Sequence, residues 1–336
     1  MKEALSDHQR SYHLDLAAGI LMLWIITFHA VNGAKVFGPV DARVVIPFLT
    51  FSMPWFFYKS GAFFQENRGR KGLERDVRKL LLPYLRWTAL GYLAYLVMMA
   101  IDGTFTLQEC VFKPLDTLWI YGYLPLDVPV WFVLSLFVTK VIAHFLFKLR
   151  IPPVIILVVG FVIPFVLHEV GNPRIPVWLS NISMGLGFFA LGFLLHRWED
   201  RQWLFLPCLA GYMAFLMFDT PVVGLHRNVH LGGCYYLWPL FSVCGIVMFN
   251  NMCRALGQLV EKNRRLHFRP VSFIGRHSIL LLVSHAFVYM PVLHYSQLSP
   301  IQTFLLIEGI YFLILLPLLF VAGQKKGGVG PRGQAS

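Results

Sequence analysis

LDLAAGILMLWIITFHAVNGA, residues 14–34, is an apolar stretch of helix length with an acid at one end and a histidine inside it. An ideal helix rises about 1.5 Å per residue, which sets His29 about 21 Å along the axis from Asp15. A hydrocarbon core is about 30 Å thick, so His29 falls past the middle of a spanning helix. Ionisable groups at that depth are costly and by default mark function. The competing reading is a neutral imidazole hydrogen-bonded to a neighbouring helix.

The rest of the chain repeats this pattern. Of 336 residues, 57% are hydrophobic and 14% charged, with a mean hydropathy of +0.62. A soluble domain is about one quarter charged, so the composition predicts an all-α, multi-pass membrane protein. Apolar runs of spanning length lie at about 14–34, 44–65, 80–101, 128–147, 153–171, 177–196, 203–219, 233–253, 271–292 and 301–323, which predicts about ten helices. The 30 Phe and 9 Trp suit lipid-facing surfaces and interfacial belts.

A net charge of +12 is compatible with nucleic acid, but the basic residues sit in short loops between apolar runs. With the N-terminus inside, the cytoplasmic segments hold Lys2, Arg10, Arg68, Arg70, Lys71, Arg75, Arg78, Lys79, Lys148, Arg150, Arg197, Arg201, Arg254, Lys262, Arg264, Arg265, Arg269, Lys325, Lys326 and Arg332. The outer segments hold only Lys35, Arg43, Lys113, Arg174 and Arg227. That positive-inside bias predicts both termini in the cytoplasm and accounts for the basic residues without a nucleic-acid partner. The first apolar run is too long for a signal-peptide core and lacks a small-residue cleavage pattern, so it is expected to remain as the first helix. The chain is expected to be a single transmembrane domain over 1–324 with a disordered Gly-rich tail over 325–336. The five cysteines form no CxxC pair and no metal spacing. Cys110 and Cys234 fall near the outer face and allow a disulfide, although unpaired small hydrophobes are the plainer reading.

Three apolar helices carry charges that lipid-facing helices avoid: Asp15 and His29 in the first, Lys59 in the second, and Arg276, His277 and His285 in the ninth. Charges at depth face a bundle interior or a wet cavity. The two most basic loops flank these helices, so a polar, basic cavity open to the cytoplasm is expected, suited to a ligand with several phosphates. Lys59 alternatively snorkels to the inner surface, and Ser60 with Gly61 alternatively serves packing. Trp131, in VPVWFVLSLF, is either an interfacial anchor or a platform for stacking a glycan. His168, Glu169, His226, Arg227 and His230 are further polar groups near the outer face.

Four passages together resemble the acyltransferase 3 family of integral-membrane acyltransferases. They are LDLAAGILMLWIITFHA; MPWFFYKSGAFF (53–64) followed by RDVRKLLLPYL (75–85); VWFVLSL (130–136) with GFFALGFLLHR (187–197); and FIGRHSILLLVSHA (273–286). The resemblance implies transfer of an acetyl or other short acyl group from cytosolic acyl-CoA, with acetyl-CoA the expected donor, in a bacterial-type inner membrane and with no permanently bound cofactor. The acceptor it implies is a hydroxyl of an extracytoplasmic glycan or its lipid-linked precursor. Arg75, Arg78 and Lys79 would hold the donor's phosphates. His29 would act as general base or as an acylated nucleophile, oriented by Ser60, Ser278 or His285 from another helix. One departure stands out: the family places Arg or Lys eleven residues before this histidine, and here the position is Ala18. Lys59 or Arg276 would have to supply the charge. Otherwise the chain is a noncatalytic relative that binds or assembles. A transporter is the remaining alternative, and no inverted repeat supports it.

Overall fold

The computed structural model describes residues 12–66, 69–171, 174–198, 201–262 and 269–318. Lys2, Arg10, Arg68, Arg264, Arg265 and the tail 325–336 lie outside these residues, as does the side chain of His226. The described chain is almost entirely helical. In order it forms α1 (Tyr12–Gly33), α2 (Ala42–Val45), α3 (Ser52–Ala62), α4 (Gly69–Asp76), α5 (Leu82–Ile101), α6 (Lys113–Tyr121), α7 (Val130–Lys148), α8 (Pro153–Val170), α9 (Val177–Leu195) and α10 (Phe205–Phe218). A two-stranded antiparallel hairpin follows, β1 (Val222–Gly224) and β2 (Val229–Gly232), which pairs Val223 with His230. Then come α11 (Trp238–Lys262), α12 (Arg269–Arg276), α13 (Ser278–Ser284), α14 (Ala286–Tyr295) and α15 (Pro300–Ile310).

Eight helical segments are long and apolar enough to cross a membrane: Tyr12–Gly33, Gly69–Ile101, Val130–Lys148, Pro153–Val170, Val177–Leu195, Tyr235–Val260, Ser278–Tyr295 and Pro300–Leu318. The other two expected runs come out shorter. Stretch 44–65 yields only the 11-residue α3, which starts after the break around Pro47. Stretch 203–219 gives the 14-residue α10, ended before Pro221. The expected ninth span is not one helix either. It is divided into α12, α13 and α14, with interruptions at His277 and His285. A π-helical turn at Val77–Leu81 joins α4 to α5, the kind of one-turn irregularity that often accompanies function.

In lipid, helices associate by close packing and buried polar contacts rather than by the hydrophobic effect. Glycines make that closeness possible here. A Cβ on Gly61 of α3 would stand 1.8 Å from the Phe189 carbonyl oxygen, and one on Gly192 of α9 would stand 1.9 Å from that of Tyr58. The two backbones therefore touch directly. Gly275 of α12 and Gly19 of α1 do the same, against the Asp15 and Val271 carbonyl oxygens.

Two buried acids are paired across helices. Asp15, with no exposed surface, accepts a 2.8 Å bond from Arg276 Nε, tying α1 to α12. Asp76 accepts a 2.6 Å bond from Lys140 Nζ, tying α4 to α7. All five cysteines are free thiols, Cys110 and Cys234 included.

Candidate functional site

The last turn of α1 and the broken helix α13–α14 build the site together. A Cβ on Gly33 would meet a Leu293 methyl at 2.6 Å, so the absence of a side chain lets α14 close on the end of α1. The His285 carbonyl accepts from the N–H groups of both Val288 and Tyr289, at 3.0 Å each, which tightens the chain at the α13–α14 junction. The sequence spacing from His285 to Tyr289 is one helical turn, so both rings share a face. Their rings stack, with centroids 5.3 Å apart and planes 25° apart. Across the gap, His29 lies 5.2 Å from the His285 ring and 6.0 Å from the Tyr289 ring, the latter nearly parallel at 15°.

This ring cluster forms one wall of a cavity of about 300 Å³. Trp24, Phe28, Met53, Trp131, Trp238 and Leu282 supply much of its apolar surface. His29, Asn32, Arg43, Thr50, Ser52 and Tyr289 supply the polar groups. An apolar chamber with a few convergent polar groups is the usual form of a small-molecule site.

Arg43 is locked in its wall position. It donates to Asp41 from Nε at 2.9 Å and from a terminal nitrogen at 2.8 Å, and to the Val223 carbonyl oxygen at 3.3 Å. Its guanidinium lies 4.9 Å from the Phe28 ring centroid. Asn32 joins the same knot, donating to Asp41 at 3.3 Å and accepting from the Ala42 N–H at 3.1 Å. Burial alone would raise the Asp41 pKa, but its bonds to Arg43 and Asn32 hold it below the ordinary carboxylate value. The end of α1, the following loop and the β-hairpin are thus fastened around the chamber mouth.

The residues expected from sequence divide into two groups. His29, Trp131 and His285 come together. Trp131 is 6% exposed and turned into the cavity, not out into a lipid-facing belt. His285 is buried behind His29, with neither ring nitrogen in a hydrogen bond of normal geometry.

The other residues lie off this chamber. Lys59 is 8% exposed, and its ammonium sits 5.9 and 5.8 Å from the Tyr58 and Phe63 centroids. Ser60 is half-buried beside it on α3. Arg276 is engaged with Asp15, one helical turn before Ala18, and Ser278 opens α13 half-buried. Arg75, Arg78 and Lys79 are exposed on α4 and the π-helical turn.

Sequence reasoning missed four residues of this region. Tyr289 was legible as the residue one turn after His285. Arg43 and Asn32 looked like ordinary loop and helix-end polar groups. Asp127, in LPLDVPVWF, looked like an acid before a helix start. It is in fact fully buried in the loop before α7, and neither carboxylate oxygen has a hydrogen-bond partner.

A family model described as an acyltransferase domain matches residues 11–323, nearly the whole chain. No curated protein and no solved structure matches it.

Proposed function

The chain belongs to the acyltransferase 3 family, and from that premise we propose that it moves an acetyl or other short acyl group from cytosolic acyl-CoA to a hydroxyl of an extracytoplasmic glycan or lipid-linked precursor. The observation that carries this reading is His29 on the wall of a largely apolar chamber, against His285 and Tyr289. An imidazole is the side chain best suited to move a proton near neutral pH.

In this reaction the acceptor oxygen attacks the thioester carbonyl carbon while His29 takes the hydroxyl proton. The C–S bond then breaks, and the proton passes from His29 to the departing sulfur. The apolar walls exclude water that would otherwise hydrolyse the thioester. Trp131 offers a flat face for the acceptor inside the chamber. Arg75, Arg78 and Lys79, exposed on their basic segment, are suited to the donor phosphates. Lys59 is the buried cation proposed to replace the basic residue missing at Ala18. Arg276 is the alternative source, and its bond to Asp15 one turn away supports that role.

The experiment is purified protein in nanodiscs with radiolabelled acetyl-CoA, followed for thioester loss with and without crude surface glycans. Loss that depends on both glycan and His29 supports the reading. Saturable acetyl-CoA binding without turnover would point to a missing acceptor or a longer acyl donor, and neither binding nor turnover would make Ala18 the mark of a noncatalytic relative.

A further inference from the structure

Resting on the acyl-transfer reading, we propose that Asp127 is the positioning acid of the His29 centre, acting on it across the Tyr289 ring. Three observations carry this. Asp127 is wholly buried, yet both of its carboxylate oxygens lack a hydrogen-bond partner. Buried polar groups are nearly always paired, and an orphaned acid is tolerated where its charge is used. Next, α5 leaves space for this side chain: a Cβ on Gly91 would fall 2.8 Å from the Asp127 Cβ. Finally, Val128 and Pro129, the two residues after Asp127, line the same chamber as His29 and Tyr289, and the Tyr289 ring stacks on both His29 and His285.

The titratable groups around this corner are few. The helix α14 presents Tyr289, with His285 at its junction to α13, and α1 presents His29 beyond them. The loop before α7 presents Tyr123, with Arg227 of the hairpin region close to it. From α5 the nearest neighbour is Gly91. No hydrogen bond joins any of these groups to Asp127. Burial pushes the Asp127 pKa up to about 8, so the acid stands near its midpoint at working pH.

The role follows from charge. When His29 takes the acceptor proton, a cation appears against the Tyr289 ring, which favours it through its π face. That cation draws Asp127 toward its ionised form, and the buried carboxylate favours the cation in turn. The transferred proton does not visit Asp127. It moves from acceptor hydroxyl to His29 and on to the departing sulfur.

The test uses the full-length protein in nanodiscs, with Asp127→Asn, Asp127→Glu, Tyr289→Leu and the Asp127→Asn/Tyr289→Leu double variant. The proposal expects Asp127→Asn to lower kcat by about 10- to 100-fold with an unchanged KM for acyl-CoA. It expects the acidic limb of the rate profile, which reports His29 deprotonation, to move to lower pH. Asp127→Glu should recover part of the rate, and the double variant should lose little more than either single one. Wild-type kcat and an unshifted profile in Asp127→Asn would overturn the proposal.

A second readout needs no acceptor: the pH midpoint for carbethoxylation of His29 by diethylpyrocarbonate, followed by peptide mass spectrometry. The midpoint should fall in Asp127→Asn, and an unchanged midpoint would overturn the proposal. If wild-type protein shows no His29-dependent turnover, acyl transfer itself fails, and this second readout still decides the coupling of Asp127 to His29.

Discussion

The imidazole of His29 lies 5.2 Å from that of His285, centroid to centroid, although 256 residues separate them along the chain. One ring faces the chamber and the other is 2% exposed behind it. A buried imidazole against a chamber-facing one fixes the outer ring's position and isolates it from water. That arrangement gives the two histidines different tasks.

His29→Ala is expected to abolish acyl transfer while the protein reaches the membrane at normal abundance. His285→Leu, which keeps a packed side chain, should lower kcat by about 10- to 100-fold and leave residual turnover. Steady-state kinetics on the two variants beside wild type checks the division. Equal losses in both would mean that the rings act as one unit.

Lys59→Ala is expected to raise the KM for acyl-CoA more than it lowers kcat. Its ammonium is buried against Tyr58 and Phe63 and does not line the His29 chamber. A titration of rate against acyl-CoA concentration reads the effect. An unchanged dependence would pass the role of replacing the charge absent at Ala18 to Arg276.

The fold was legible where hydropathy alone decides it. The runs at 14–34, 153–171 and 177–196 return almost residue for residue as α1, α8 and α9. It was not legible where prolines shorten a helix: α3 is 11 residues inside an apolar stretch twice that length, starting after the break around Pro47. Of the site, His29 and His285 stood out because an ionisable group in an apolar run is costly. Asp127 did not, since an acid just before a helix is ordinary in sequence. Only its complete burial makes it unusual.

Asp127 also makes stability depend on pH. Its pKa rises from an ordinary 3.8 to about 8 on folding. The unfolded chain therefore sheds this proton first, and folding loses stability as pH climbs from about 4 to 8. Asp127→Asn removes that loss. The variant should match wild type in thermal unfolding near pH 4 and exceed it by several degrees near pH 8. A constant gap between them would assign the change to packing alone.

Gly192→Val is expected to eliminate folded protein, since a Cβ there stands 1.9 Å from the Tyr58 carbonyl oxygen, a backbone atom with nowhere to go. Lys140→Ala should be milder. It strips Asp76 of a 2.6 Å bond, a loss of about 3 kcal/mol by the usual cost of breaking a buried pair. Size-exclusion profiles and thermal unfolding of the two variants give the ranking.

With His29 as the base, an acyl group passes from a donor on one side of the membrane to an acceptor on the other. Inside-out membrane vesicles test it most directly, with glycan sealed in the lumen and acetyl-CoA carrying a labelled acetyl group added outside. The account predicts label on the enclosed glycan with wild-type protein and none with His29→Ala. Label transferred equally by both, or confined to glycan on the donor's side, would contradict it.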